Sequence, residues 1–284
     1  MPSGVPMPRR TIARAAELRG TGLHTGAEVT VRLEPELPGR GIVFRRSDLG
    51  NRLIPARLDA VGASERRTSL RMGAERLDTV EHLLAAVYVA GIDDLVIVLD
   101  GPEVPILDGS FTPFVELLAD AGRLETPGGP AELRLARSLE VQEGDARYAI
   151  EPGEGLAIDL TLDYTEPVIG RQRTSWVVTA ESFAREIAPA RTFGFLAEVT
   201  PLRRRGLLAG ATESAAIVLS PVAVLNTTLR WPDEFARHKL GDLIGDLALL
   251  GARLNLRVVA ERPSHRGNLT CGRALARAAR IVEG

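Results

Sequence analysis

The chain has 284 residues and a formal net charge of −2 at pH 7. Hydrophobic residues make up 45% of it and charged residues 25%, which is typical of a globular protein and argues against intrinsic disorder. A protein that binds nucleic acid over a broad surface would be more basic, so we expect no nucleic-acid partner. At roughly 150 residues per domain, the length favours two domains.

The cysteine content and the apolar runs indicate a compartment. The single cysteine, Cys271, excludes an intramolecular disulfide framework and a cysteine-rich zinc site, which fits a reducing environment. The N-terminus has basic residues but no apolar segment typical of a secretory signal. No apolar run reaches the roughly 18 residues that are needed to span a bilayer. We expect a cytoplasmic protein with no transmembrane segment, and we leave open a transient contact with a membrane surface.

The first half of the chain alternates predicted strands with two helices. The predicted strands are Glu28–Leu33, Gly41–Phe44 and the continuously apolar Leu95–Leu99. The predicted helices are Thr79–Ala90, with Thr79 as the N-cap, and Pro113–Ala121. A linker rich in proline and glycine follows at Glu125–Pro130.

The second half repeats this plan. The predicted strands are Leu133–Val141, Arg147–Glu151, Leu156–Leu162, Ile217–Leu219 and Leu254–Ala260. Helical and turn segments are expected over 180–210, and helices over Asp233–Gly251 and Gly272–Ile281. In both halves, strands lead into a helix with a histidine, which an apolar strand follows. We therefore predict an α+β fold of two similar domains, 1–126 and 131–284. Each is a sheet layered against helices, and the two pack face to face with a site between them.

The strongest local signal is the pair His238 and Asp242. Residues i and i+4 lie on one face of a helix, so the two side chains can meet at one point. An imidazole and a carboxylate are suitable ligands for Zn²⁺. The alternative is a surface ion pair worth a few tenths of a kcal/mol. Gly241 and Gly245 each disfavour a helix by about 1 kcal/mol relative to Ala, which suggests that another backbone packs closely there.

Two further histidines lie beside groups that could work with a metal. Glu81 precedes His82 in the first turn of a predicted helix, where an acid also interacts favourably with the helix dipole. His82 could complete the three protein ligands of a catalytic zinc, and Glu81 could act as a general base. His265 lies in a predicted turn-rich loop, where it could act as a general acid or have no role. Asp246 could hold its charged form.

At these residues the chain resembles the zinc-dependent UDP-3-O-acyl-N-acetylglucosamine deacetylases of lipid A biosynthesis in Gram-negative bacteria. The matching motifs run almost end to end, in the family's order and spacing. They are Gly22–Gly26 (GLHTG), Gly41–Arg46 (GIVFRR), Thr79–Leu84 (TVEHLL), Pro102–Ser110 (PEVPILDGS), Ala190–Phe195 (ARTFGF), Asp233–Phe235 (DEF) and His238–Asp246 (HKLGDLIGD).

The resemblance implies roles for individual residues. His82, His238 and Asp242 would bind Zn²⁺, with Fe²⁺ as an alternative in the cell. Glu81 would be the general base and Thr192 an oxyanion stabiliser. His265, oriented by Asp246, would be the cation that protonates the leaving amine. Lys239 would contact the substrate near the reacting centre or at the nucleotide phosphates. An insert near 193–210 would form an apolar tunnel for the acyl chain. Its candidate substrate-binding residues are Phe193, Leu196, Val199, Leu202 and Gly210.

The implied activity is hydrolysis of the N-acetyl group of an acylated UDP-amino sugar by a monomer. Two alternatives stay open: a deacetylase of a different N-acyl sugar nucleotide, and a catalytically silent binding protein on the same fold. Two departures bear on the first alternative. Ser264 stands where the family usually has glycine, and Glu166 replaces a histidine in the segment Asp163–Pro167 (DYTEP). A silent relative is expected to lose a ligand or the base, and this chain keeps them all.

Overall fold

The structure is a computed structural model, which describes residues 8–63, 66–212 and 214–282. The first half forms strands, two helices and short 3₁₀ turns. Its elements are β1 (Arg9–Ile12), β2 (Ala16–Thr21), β3 (Glu28–Pro35), β4 (Ile42–Arg46), β5 (Arg52–Pro55), β6 (Ser69–Met72), β7 (Glu75–Asp78), α1 (Glu81–Val89), β8 (Leu95–Leu99), α2 (Thr112–Ala121) and β9 (Arg123–Thr126).

Five of these strands form one sheet in the order β2-β3-β8-β4-β5. Alternation in β3 buries Val29, Val31 and Leu33 on one face, as the period of a half-buried strand requires. Strand β8 runs antiparallel to β3 and parallel to β4, and its buried position explains its continuous apolar run. Two ribbons, β1 with β9 and β6 with β7, flank this sheet.

The second half forms a second set of elements. They are β10 (Glu132–Arg134), β11 (Leu139–Glu143), β12 (Ala146–Pro152), β13 (Leu156–Asp163), β14 (Arg171–Val177), α3 (Ala180–Ser182) continued by a π turn over Phe183–Ile187, β15 (Phe193–Phe195), α4 (Leu196–Arg204), β16 (Ile217–Leu219), α5 (Glu234–Ala248), β17 (Arg253–Glu261), α6 (His265–Ala278) and β18 (Arg280–Val282).

Strand β17 is the centre of a seven-stranded sheet. It pairs antiparallel with β12 and parallel with both β13 and β10. In each half, the strand that follows the histidine-bearing helix therefore pairs parallel with an earlier strand of its sheet: β8 after α1, and β17 after α5. This shared topology is the structural form of the predicted internal repeat.

Each half has its own hydrophobic core, and the two cores meet where α1 packs on α5. One core is built on the seven-stranded sheet and takes in Ala85 of α1. The other is built on the five-stranded sheet and takes in Leu249, next to the end of α5. The predicted α+β fold, with two layered halves facing each other, is confirmed. Among the described residues, no helix is long and apolar enough to cross a membrane.

Three predicted elements differ from the structure. Thr79 is not an N-cap: it has φ +60°, its hydroxyl donates to Glu103, and Val80 precedes the helix without a side-chain cap. The predicted strand Leu133–Val141 is divided between β10 and β11. The predicted helix Gly272–Ile281 was wrong at both ends, because α6 begins at His265 and ends at Ala278. The Ser264 hydroxyl accepts from the Gly267 N–H and so starts this helix earlier.

Candidate metal centre and active site

Helices α1 and α5 cross at a glycine contact. A Cβ atom at Gly245 would lie 2.0 Å from the carbonyl oxygen of Glu81, so any larger residue would push the two helices apart. The expectation that another backbone packs closely on α5 is confirmed at Gly245. At Gly241 the close neighbour is instead a side chain, the ring of Phe111, 2.3 Å from where a Cβ would lie. The contact between Gly245 and Glu81 sets the first turn of α1 directly against the middle of α5.

The crossing brings together the three side chains that were predicted as metal ligands. One ligand atom from each of His82, His238 and Asp242 lies within 4.8 Å of the others, and all three residues are buried. Oδ1 of Asp242 is 3.5 Å from Nε2 of His82 and 3.4 Å from Nε2 of His238. Two imidazoles and one carboxylate around a single point are a donor set for a divalent cation.

Hydrogen bonding and charge leave these atoms free to bind a metal. Oδ1 of Asp242 is buried and has no hydrogen-bond partner among the described residues, an arrangement that is costly without a cation. Nδ1 of His238 lies 3.0 Å from the carbonyl oxygen of Ala190; if it donates there, the lone pair of Nε2 faces Asp242. Burial lowers the pKa of His238 to about 3, so its imidazole is neutral at pH 7. The residues present therefore fit a divalent metal.

Lys239 and aromatic rings surround this cluster. Nζ of Lys239 donates to Oδ2 of Asp242 at 2.9 Å. Burial raises the pKa of the Asp242 carboxyl, but the positive charge of Lys239 outweighs it and helps to hold this pKa well below its usual value. The ring of Phe111 lies 4.6 Å from that of His82 and 5.1 Å from that of His238. The aromatic wall limits water on this side, which strengthens electrostatic interactions within the cluster.

Glu81 lies beside the cluster in the first turn of α1. It is buried, and its Oε2 accepts from the backbone N–H of Thr68 at 3.0 Å. Its Oε1 is 3.9 Å from Nε2 of His265. Burial raises the pKa of Glu81, and the positive charge of His265 acts against that rise. A buried carboxyl group with a raised pKa, and with one oxygen that accepts no hydrogen bond from the described residues, can act as a general base.

The opposite side of the site carries a cation. His265 is the first residue of α6, and its Nδ1 is 2.9 Å from Oδ2 of Asp246. Burial lowers the pKa of His265, but the charge and hydrogen bond of Asp246 outweigh it and raise this pKa to about 9. Nε2 of His265 faces the cluster, 3.7 Å from Oδ2 of Asp242. The expected contact of Asp246 with a histidine outside the metal cluster is present.

Sequence reasoning missed other partners of Asp246. The carboxylate is fully buried and also accepts from the hydroxyl of Thr68 and from the side-chain amide of Asn268. Asn268 lies three residues after His265 on α6, so a helix predicted from the Ser264 cap would have placed both on one face. No local signal marks Thr68, because it reaches the site only through the packing of the two halves.

The segment before and within β15 borders the cluster. The N–H of Thr192 donates to the carbonyl of Gly109 at 2.8 Å, and its own carbonyl accepts from Ile217. Thr192 lies two residues after Ala190, whose carbonyl oxygen is 3.0 Å from Nδ1 of His238. The ring of Phe193 is 6.4 Å from the ring of His238 and 5.8 Å from Nζ of Lys239.

The remaining predicted substrate-binding residues lie in the insert after β15. Leu202 is buried, Val199 is half-buried, and Leu196 is 54% exposed, so these three side chains do not form a single buried lining. Gly210 lies farther along, and its N–H donates to the carbonyl of Leu23 at 3.1 Å. A Cβ there would lie 2.2 Å from the carbonyl oxygen of Gly22. The end of the insert therefore packs on the first half of the molecule.

Comparison with known proteins agrees with this geometry. Residues 9–277 match the family model described as LpxC, UDP-3-O-acyl N-acetylglycosamine deacetylase. The chain belongs to the LpxC family. Proteins named UDP-3-O-acyl-N-acetylglucosamine deacetylase are similar to it over more than four fifths of their length. That of Myxococcus xanthus is 42% identical over 259 residues, which are 90% of this chain and 82% of the relative.

Two other relatives give the same result for LpxC membership. The protein of that name from Nitratiruptor sp. is 44% identical over 246 residues, or 86% of this chain and 82% of the relative. The one from Chlamydia abortus is 40% identical over 269 residues, or 94% of this chain and 96% of the relative. The family resemblance expected from the motifs is confirmed.

Proposed function

We propose that this LpxC family member hydrolyses the N-acetyl group of UDP-3-O-acyl-N-acetylglucosamine and releases acetate, the committed step of lipid A biosynthesis. The observation that carries the proposal is that two groups of side chains meet where α1 crosses α5. His82, His238 and Asp242 can hold a metal. Beside them, the buried Glu81 faces the pair of His265 and Asp246. Relatives with this name at 40–44% identity support the substrate.

The proposed metal is Zn²⁺ held by His82, His238 and Asp242, with Fe²⁺ as the alternative in the cell. The donor set of two nitrogens and one carboxylate suits either ion. When bound, such an ion would polarise the amide carbonyl and lower the pKa of water from 15.7 to about 7. The other proposed contributions to hydrolysis come from side chains of the protein.

Glu81 is the proposed general base. The N–H of Thr68 holds Oε2, which leaves Oε1 to take a proton from the attacking water. His265 is the proposed general acid. Because its pKa is about 9, it is protonated at pH 7, and Nε2 is the nitrogen that faces the site. It would donate its proton to the amine nitrogen as the carbon–nitrogen bond breaks, which avoids expelling an amide anion.

Substrate would be positioned by residues around the cluster. We propose that Thr192 stabilises the oxyanion and that Lys239, with Phe193 beside it, contacts substrate near the reacting centre. The insert residues Leu196, Val199, Leu202 and Gly210 are proposed to recognise the acyl chain. We also propose a monomer with domains 1–126 and 131–284, and we leave open a transient contact with a membrane surface.

Acetate release from purified, zinc-loaded protein tests the function. We expect the 3-O-acylated substrate to be hydrolysed with a higher kcat/KM than that for UDP-N-acetylglucosamine. Each CH₂ removed from water contributes about 0.8 kcal/mol, or roughly fourfold in affinity. His238→Ala is the control and should lose activity together with metal. Equal kcat/KM for the two substrates would instead favour a different N-acyl sugar nucleotide, and no release from either would favour a silent binding protein.

A further inference from the structure

A buried hydrogen-bonded chain leads from the sheet of the second half to His265. The hydroxyl of Tyr148 on β12 donates to Oδ1 of Asn268 at 2.7 Å. The amide of Asn268 donates to Oδ2 of Asp246 at 2.8 Å, and Nδ1 of His265 lies 2.9 Å from the same oxygen. Tyr148, Asn268 and Asp246 are each at most 2% exposed.

We propose that Asn268 and Tyr148 are positioning residues for the His265–Asp246 pair. Asn268 holds the carboxylate of Asp246 in the orientation that accepts from His265, and Tyr148 holds the amide of Asn268 in the orientation that can donate. This inference rests on the proposed function, in which His265 protonates the leaving amine. It assigns roles to two side chains that touch neither the metal cluster nor Glu81.

The donors and acceptors around Asn268 favour a single orientation of its side-chain amide. The tyrosine hydroxyl donates to Oδ1, so Nδ2 is the atom that faces Asp246. A flipped amide would set Oδ1 against a carboxylate oxygen, two acceptors with no proton between them. In a buried site this mismatch is costly, because neither oxygen can turn to water. The carboxylate of Asp246, which only accepts, therefore selects the Nδ2 end of Asn268, and the hydroxyl of Tyr148 supports that orientation by donating to Oδ1.

The backbone of α6 is adapted to this contact. Gly267 lies beside Tyr148, and a Cβ there would lie 2.5 Å from the tyrosine hydroxyl oxygen. Glycine at this position therefore lets the hydroxyl approach the first turn of the helix that carries both His265 and Asn268. With Thr68 donating to Oδ1 of Asp246, both carboxylate oxygens are held, and the carboxylate has no freedom to rotate away from His265.

The experiment compares Tyr148→Phe and Asn268→Ala with a matched control, Tyr88→Phe. The hydroxyl of Tyr88 also takes part in a partly buried hydrogen bond, which it accepts from the N–H of Leu254 at 3.0 Å, but it lies away from Asp246. Loss of a residue that orients a functional group typically costs about 10–100-fold in activity. We expect a fall in kcat of this size for Asn268→Ala and a smaller fall for Tyr148→Phe, with KM and zinc content unchanged. Tyr88→Phe should keep the kcat of the unaltered chain.

Imidazole NMR of the zinc-loaded protein gives a readout that needs no substrate. The chain has only four histidines, so the Nδ1 proton of His265 can be assigned by substitution. We expect its hydrogen-bonded signal to shift or broaden in Tyr148→Phe and Asn268→Ala and to stay in place in Tyr88→Phe. An unchanged signal with unchanged kcat in both test variants overturns the proposal, as do equal losses in all three variants. If the unaltered chain releases no acetate, the proposed function fails, while the NMR comparison still decides this inference.

Discussion

Asp242 has a carboxylate whose two oxygens are in different situations. Oδ2 accepts from Lys239, while Oδ1 is buried among two imidazoles and has no hydrogen-bond partner among the residues that the structure describes. A buried acceptor without a donor costs about 1–3 kcal/mol. Lys239 compensates only one oxygen, so a cation is needed to compensate the other.

Glu81→Gln should keep the metal and lose most activity. The amide is nearly isosteric and can still accept from Thr68, but it cannot take a proton from water. Removal of a general base typically costs about 10²–10⁴-fold in rate. Zinc analysis and steady-state kinetics on the same preparation measure both effects. Near-normal activity in this variant would leave Glu81 only its favourable interaction with the dipole of α1.

Asp246→Asn should move the basic limb of the pH–rate profile to lower pH. His265 is charged below its pKa of about 9, so a rate that depends on this acid falls as pH rises through that value. Replacing the carboxylate with a neutral amide removes the charge that raises this pKa, so the limb shifts downward and the maximum rate falls. The limbs of such a profile belong to the coupled site, so His265→Ala, which should remove the limb, is the necessary comparison. A limb that stays in place in Asp246→Asn would disprove the pairing.

At the scale of elements, the crossing of α1 and α5 depends on one glycine. Gly245→Ala should destabilise the fold and weaken metal binding, because the new Cβ would lie 2.0 Å from a backbone oxygen that cannot rotate away. Overpacking of this kind typically costs about 1–3 kcal/mol. Moving α1 also separates His82 from the two ligands on α5. Urea unfolding and zinc titration measure the two effects.

Gly272→Ala is the matched control for this variant. It also lies within a helix, but the nearest atom to its new Cβ, at 3.3 Å, is the end of the flexible Leu58 side chain. We expect unchanged zinc affinity, since the residue lies on α6 away from the helix crossing. Equal loss of zinc in both variants would show that the crossing does not control the metal site.

At the scale of the whole molecule, the metal cluster joins the two halves. His82 comes from α1 in the first half, and the other two ligands come from α5 in the second. A ligand that binds only the folded state stabilises it by about 2.7 kcal/mol at a hundredfold excess over its Kd. Chelation should therefore lower the Tm of the chain.

The control for chelation is His238→Ala, which lacks one ligand. Its Tm should change little when chelator or zinc is added. Differential scanning calorimetry of this variant and of the unaltered chain makes the comparison. A chelator effect of the same size in this variant would place the stabilising metal elsewhere in the molecule.

Features that depend on near neighbours along the chain could be predicted from the sequence. The i, i+4 pair on α5, the adjacent Glu81 and His82, and the apolar strands after each helix follow from local periodicity. The motifs were enough to identify the family. Even the close approach at Gly245 could be predicted. Glycine disfavours a helix, so two glycines four residues apart in one helix indicate that another part of the chain packs closely there.

Which of these local features meet depends on the packing of distant segments. Thr68 and Asn268 both donate hydrogen bonds to Asp246. Thr68 lies 178 residues before Asp246 in the chain, and Asn268 lies 22 residues after it. Thr79, predicted as a cap, instead adopts a positive φ and donates to Glu103, because a buried carboxylate competes with the helix for its hydroxyl. Contacts between distant segments are set by how whole helices pack, and no local spacing carries that information.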